Sequence, residues 1–145
     1  MTSWRWHKIA VGVDGSQESR QALAWACEQA PPGVMITAVS AWSVSPAAAT
    51  PPFGGFPWGA SVEAGAATRA MVAEVVAELE PDFPEVEIGE YVIAGNAAHE
   101  LIKLSESVDL VVVGAKGHGG FTGMLLGSVS QHVLAHSVCT VVVVR

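Results

Sequence analysis

The chain has 145 residues, 50% hydrophobic and 14% charged, enough to fill one hydrophobic core and too few for two ordinary domains, so 1–145 reads as a single domain. Seven basic residues against fourteen acidic ones leave a net charge of −7, which repels nucleic-acid phosphates and anionic lipid surfaces, and no basic patch reverses it. The longest apolar runs, such as Leu110–Val113 and Val141–Val144, fall far short of the roughly 20 residues that cross a bilayer; with no apolar leader at the N-terminus, a cytoplasmic protein without membrane or nucleic-acid partners is expected.

Lys8 to Val13 is a short apolar run that closes on Asp14, Gly15 and Ser16, the pattern of a buried strand, a turn and a helix N-cap. Ala22, Leu23, Ala26, Cys27 and Ala30 then recur at helical spacing until Pro31-Pro32-Gly33 stops them. Val34 to Trp42 is the second strand. Ser43 to Gly59, with four prolines, three glycines and Phe53, Phe56 and Trp58, reads as a surface loop or lid that packs on something. Val62, Ala66, Ala70, Met71, Val75 and Leu79 trace the inward stripe of a helix ending at Pro81. Val86 to Ile93 is a strand, Gly95-Asn96 a turn, and Ala97 to Ser107 a helix with Leu101, Ile102 and Leu104 inward. Asp109 to Gly114 is a strand, Ser128 to Ser137 a helix carried by Val129, Val133 and Leu134, and Cys139 to Val144 the last strand. Five strands alternating with four helices, several strands apolar on both faces, predict an α/β protein with a mostly parallel sheet covered by helices on both sides. Cys27 and Cys139 are isolated cysteines, expected as buried thiols rather than a disulfide.

Between the fourth strand and the last helix, residues 114–128 hold six glycines in fifteen positions. A parallel strand that delivers such a loop to a helix N-terminus presents free N–H groups and the positive end of the helix dipole to an anion. Residues 61–109 carry eleven acids and two bases, whereas 110–145 carry Lys116 and Arg145 and no acid, so an anion meets little repulsion there. Composition alone leaves a second reading open, in which the glycines serve only a tight crossover and the serine is an ordinary cap. Neither the Walker A pattern nor the dinucleotide fingerprint fits, since no Gly-Lys-Ser/Thr closes the loop and the loop follows the fourth strand rather than the first.

The spacing Gly114-x2-Gly117-x9-Gly127-Ser128 resembles the ATP-binding branch of the universal stress protein family. So do Val13-Asp14-Gly15-Ser16, Gly95-Asn96, Asp109 to Gly114, Leu125-Leu126-Gly127-Ser128-Val129-Ser130 and the valine-rich end. The resemblance implies a Rossmann-like sheet of strand order 3-2-1-4-5, with Asp14 beside Gly114 at a topological switch point. It implies that Asp14 holds the adenosine portion of ATP, that backbone near Ala41 borders adenine, and that Gly117, Gly127, Ser128, Val129 and Ser130 cradle ribose and phosphates, Ser128 and Ser130 through their hydroxyls. Read without the family, Asp14 is first of all a turn former bonding the next N–H groups. Lys116 and His118 stand where the family often has arginine; a lysine is a point charge, and a histidine with an ordinary pKa of about 6.5 is mostly neutral at pH 7, so tighter ATP binding at pH 6 than at pH 8 is expected. Mg²⁺ beside ATP is left open.

His132, His136 and Cys139 resemble metal-ligand spacing, but no fourth ligand is evident and no metal site is assigned. No nucleophile elbow and no second carboxylate beside Asp14 appear, which argues against a dedicated enzyme and leaves room at most for slow ATP hydrolysis. The strand Thr140–Val144 lacks proline and charge, and as an edge it invites pairing. The resemblance implies a homodimer through this strand, the alternative being that segment 43–59 folds over it. The resulting expectation is a stress protein for which ATP is ligand or signal; its rivals are a protein-interaction member that leaves the crevice empty and a slow ATP hydrolase.

Overall fold

A computed structural model describes residues 6–43, 58–118 and 125–145. Trp4, Phe53 and Phe56, nearly all of the proline-rich segment, and Gly119, Gly120 and Gly123 lie outside the described residues. Five strands, β1 (Lys8–Gly12), β2 (Met35–Trp42), β3 (Glu87–Ala94), β4 (Leu110–Gly114) and β5 (Thr140–Val144), alternate with four helices, α1 (Gln17–Gln29), α2 (Trp58–Leu79), α3 (Ala97–Leu104) and α4 (Ser128–His136). The strands form one sheet in the order β3-β2-β1-β4-β5, and every pairing is parallel. Val11 lies opposite both Ala38 and Val112, so the central strand is flanked on both sides. It buries both faces, which is why β1 and β4 read as unbroken apolar runs rather than alternating ones.

On one face, Leu23 and Ala26 of α1 and Val72, Val75 and Val76 of α2 pack with Ile9, Val11, Ile36 and Val112 of the sheet. On the other, Leu101 of α3 and Val133 of α4 pack with Ala10, Val39, Val111 and Val113. The helix after β1 and the helix after β4 therefore cover opposite faces, and the connections leaving these two neighbouring strands diverge above the sheet. That divergence creates the switch point.

Local chemistry explains the starts and stops. Ser16 caps α1 by accepting from the Ser19 N–H at 3.2 Å, and Asn96 caps α3 by accepting from the His99 N–H at 3.0 Å. Gly95 enters that cap at φ 148°, where a Cβ would stand 3.2 Å from Glu100 Oε1.

Three assignments differ from expectation. Helix α2 already begins at Trp58, inside the stretch read as loop, and its inward line is Gly65, Val72, Val75 and Val76. Val62, at 70% exposure, and Ala66 and Ala70 face out. Steps of four residues advance roughly 40° each on a helix of 3.6 residues per turn, so that trio winds away from the core, and an Ala/Val-rich helix gives little contrast to reveal its phase. Helix α3 stops at Leu104, with Ser105 as its C-cap. In α4 only Ser130 and Val133 are buried, while Val129 and Leu134 are exposed, because the edge strand β5 beneath it offers little surface to cover. Both cysteines are free; Cys27 is buried, with burial pushing its thiol up to about 11, but Cys139 is only partly covered.

Candidate functional site

The β1–α1 turn is tied by a short network. Asp14 Oδ1 accepts from the Ser16 N–H at 2.9 Å and from the Ser16 hydroxyl, while the Ser19 hydroxyl donates to Ser16 O at 3.0 Å. This is the turn-forming role that an aspartate takes locally. Its other oxygen does something the local sequence does not announce: Oδ2 accepts the backbone N–H of His118 at 3.0 Å, 104 residues away. Asp14 thus bridges the two loops that leave β1 and β4. Burial alone would raise its pKa, but the bonds from Ser16, His118 and Ser19 outweigh that and hold the carboxyl below its ordinary value.

The bridge explains two glycines. A Cβ at Gly117 would stand 2.1 Å from Asp14 Oδ2, so only glycine lets the second loop reach the carboxylate. Gly15 lies at φ 84°, and a Cβ there would meet Met71 Cγ at 3.1 Å and His118 Nε2 at 3.5 Å. Arg20 fastens the same turn from behind, donating to Gly15 O and pairing with Glu78 of α2 at 2.9 Å.

Across the crevice, Gly127 is the N-cap of α4 and supplies no side-chain acceptor to its first turn. Its N–H donates to Ala115 O at 2.6 Å, and the Ser130 hydroxyl donates to Ala115 O at 2.9 Å and to Gly127 O at 3.0 Å. Ser130 is 2% exposed. Its hydroxyl thus ties the loop to the helix, and with its proton shared between two carbonyls it presents lone pairs to the crevice. Gly114 is also glycine for an internal reason, since a Cβ would meet Glu18 of α1 at 2.8 Å.

All ten residues singled out in the sequence, Asp14, Ala41, Gly114, Lys116, Gly117, His118, Gly127, Ser128, Val129 and Ser130, line one crevice of about 140 Å³. Val39 of β2 and Ala97 and Leu101 of α3 add apolar lining to the crevice, and no motif pointed to them. A period of two from Ala41 places Val39 on the same strand face, and that was the available signal. His132 and His136 sit outside the crevice, their rings stacked 6.3 Å apart, with His132 Nδ1 donating to Ser128 O at 2.8 Å. Among the described residues, no group of three or more His, Cys, Asp or Glu side chains is placed to hold a metal ion.

A parallel, doubly wound sheet with one crevice between the diverging connections of its central strands defines an α/β domain of the class that holds ligands at the carboxyl ends of its strands. More particularly, the chain belongs to the universal stress protein family, whose model matches residues 5–145. It is 38% identical over 138 residues to a universal stress protein of Mycobacterium tuberculosis, a match covering 94% of this chain and 45% of that one. The chain thus spans less than half the length of this relative. Among solved structures, it is similar to the universal stress protein UspA from Lactobacillus plantarum (21% identity, TM-score 0.77, covering 99% of this chain and 100% of that one). It is also similar to a universal stress protein solved in complex with cAMP (25% identity, TM-score 0.68, covering 98% of each chain). Among the described residues, no helix is long and apolar enough to cross a membrane.

Proposed function

We propose that the crevice binds an adenine nucleotide, ATP or a close relative, as a ligand or signal in a cytoplasmic stress response. The observation that carries this reading is the crevice's two-sided chemistry. Apolar side chains of Val39, Ala41, Ala97 and Leu101 share the crevice with the backbone at the start of α4, the two kinds of surface that a flat base and an anionic tail require. The cAMP complex of a family member with the same fold supports it. Asp14, fixed between Ser16 and His118, is positioned to accept from a ribose hydroxyl. Lys116 supplies a positive side chain and His118 an imidazole from the β4 loop, and any Mg²⁺ would be held mainly by phosphate oxygens, Asp14 being the only carboxylate that lines the crevice among the described residues.

The same geometry argues for binding rather than turnover. Asp14 already accepts bonds at both oxygens and is more acidic than usual, which makes it a poor base for activating water. In this reading the nucleotide acts through α2, whose Met71 lies against Gly15, or through a dimer. The edge of β5, with Leu134 and Val138 exposed beside it, is proposed to pair with a second copy across a two-fold axis, because isologous pairing closes the edge without further growth. Mass spectrometry of small molecules released from purified, denatured protein tests the nucleotide reading. An adenine nucleotide in stoichiometric amount is expected, and its absence together with no heat of binding for any adenine compound overturns the reading. Phosphate release above that of an Asp14→Ala control would overturn the non-catalytic part.

A further inference from the structure

We propose that an apolar groove at the other end of the sheet docks a basic segment of a partner protein, with an arginine side chain seated in it. The groove, of about 420 Å³, lies between the end of α1 and the turn that leads into β3. Its less exposed lining is apolar: Cys27 is buried, and Ala30, Phe83 and Val86 are partly so. Burial, reinforced by the neighbouring Glu28 carboxylate, pushes the Cys27 thiol up to about 11, so it is protonated at neutral pH and belongs to the apolar lining rather than acting as a nucleophile. The crevice occupies the carboxyl ends of the strands and this groove the starts of β2 and β3, so a partner seated here leaves the crevice open.

Charge selects the occupant. The exposed part of the lining brings Glu28 from α1 and Asp82 and Glu85 from the turn before β3, and among the described residues no lysine, arginine or histidine lines the groove. The ion pairs among those residues are Arg20 with Glu78 and Lys103 with Glu100, so these three carboxylates are unmatched there. The last turn of α1 has no basic residue and carries Glu28 instead, the reverse of what the negative end of a helix dipole favours. An inorganic cation needs several oxygen ligands at once, and among the described residues no three acidic, histidine or cysteine side chains are placed to hold one. An alkyl stem that ends in a cation matches both surfaces, the stem against the apolar lining and the head among the carboxylates. Arginine fits better than lysine, since its planar, weakly hydrated guanidinium can stack on Phe83 while pairing with a carboxylate. A peptide segment, unlike a free polyamine, also brings apolar neighbours to cover the exposed Pro32 and Pro84. The net charge of −7 steers such a basic partner toward the chain.

The test is an NMR titration of the full chain, at low and at high salt, with three probes. These are the capped peptide Ser-Leu-Arg-Ser-Arg-Leu, the same peptide with neutral citrulline in place of arginine, and spermidine. The arginine peptide is expected to shift the amide signals of Cys27, Glu28, Ala30, Phe83 and Val86, more weakly as salt screens the carboxylates. The citrulline peptide should bind at least about fivefold more weakly. The double variant Glu28→Gln, Glu85→Gln should lose a similar factor for the arginine peptide with an unchanged thermal melt, because both side chains are exposed. No shift at these residues with the arginine peptide, or equal binding of the citrulline peptide, overturns the proposal. Spermidine binding as tightly as the peptide overturns it in favour of a free polyamine, and shifts at these residues that follow protein concentration without any probe overturn it in favour of a second copy of the chain.

Discussion

Against α1 and α2 the sheet buries Ile9, Val11, Ile36 and Val112 beneath two helices that contribute Leu23, Ala26, Val72, Val75 and Val76. Against α3 and α4 it buries Ala10, Val39, Val111 and Val113 beneath Leu101 and Val133, with Ile102 and Leu104 of α3 only partly buried beside them. Leu134 and Val138 on this second side are 44% and 71% exposed. The crevice lies where the two sides meet: Asp14 is carried by the strand leading into the thickly packed α1, and Gly127 by the loop leading into the thinly packed α4. A firmly packed wall and a more lightly packed wall thus share one crevice, and α4 also borders the open edge of the sheet.

The largest effects should come from testing that asymmetry directly. Leu23→Ala is expected to cost about 3–5 kcal/mol and Leu101→Ala about 2–3 kcal/mol, because a cavity beside the shorter α3 can relax further. Urea denaturation of both variants measures the difference, and equal costs would show that the two sides are equally tight. Next in size are two of the glycines that line the crevice, Gly117 and Gly127. Gly117→Ala forces a Cβ into Asp14 Oδ2, so it should break the bond to His118 and weaken nucleotide binding at least about tenfold. Gly127 has φ −81°, and its Cβ would meet Lys116 Cα at 3.4 Å and Gly117 N at 3.7 Å, ordinary contacts. Gly127→Ala should therefore change binding less than about twofold. Calorimetry on the pair separates a glycine needed for the bridge from one that is merely compatible with it.

These two glycines also mark what could be read without coordinates. The strands, the Ser16 cap and the loop spacing were legible because each rests on a local rule: apolar runs, a serine before a helical stripe, glycines where a chain turns toward a helix. The reason for each glycine was not. Gly117 answers to a carboxylate 103 positions earlier and Gly114 to the backbone of α1, contacts that exist only once the strand order brings β1 beside β4. The resemblance implied a ligand-facing hydroxyl at Ser130, and what it could not show is that this hydroxyl bonds the carbonyls of its own segment. In α2 the expected stripe holds at Met71, Val75 and Leu79, which face the core, and fails at Val62, Ala66 and Ala70, since alanine and valine surround that first half and hydrophobicity there carries little angular information.

Acid should separate the two ends of the sheet. At the crevice, Asp14 is held below its ordinary pKa by Ser16 and His118 against the upward push of burial; at the far end, Asp109 is lowered by the backbone N–H groups of His7 and Lys8. A carboxylate whose folded pKa is depressed binds fewer protons than in the unfolded chain. Its stabilisation is therefore present above the unfolded value of about 3.9 and lost as pH falls through the lower folded value. Asp14→Asn and Asp109→Asn should each flatten the loss of stability below pH 4, and only the first should also lose nucleotide binding. Thermal melts from pH 6 to pH 3 with and without ligand check both halves, and loss of binding in Asp109→Asn would mean that the two ends are coupled through β1 and β4.

The smallest effect on the fold belongs to the open edge. Leu134 lies on the outer face of α4, so Leu134→Glu removes little from the monomer's core and should shift its stability by less than about 0.5 kcal/mol. If β5 and α4 meet a second copy, however, two glutamates enter the shared interface around its axis, and each adds charge where apolar contact is needed. Sedimentation velocity should then show a dimer for the parent chain and a monomer for the variant, with the urea midpoint of the isolated monomer unchanged. A parent chain that sediments as a monomer at all concentrations would shift the role of the exposed valines and Leu134 to a different partner and leave the thin side of the sheet open in solution.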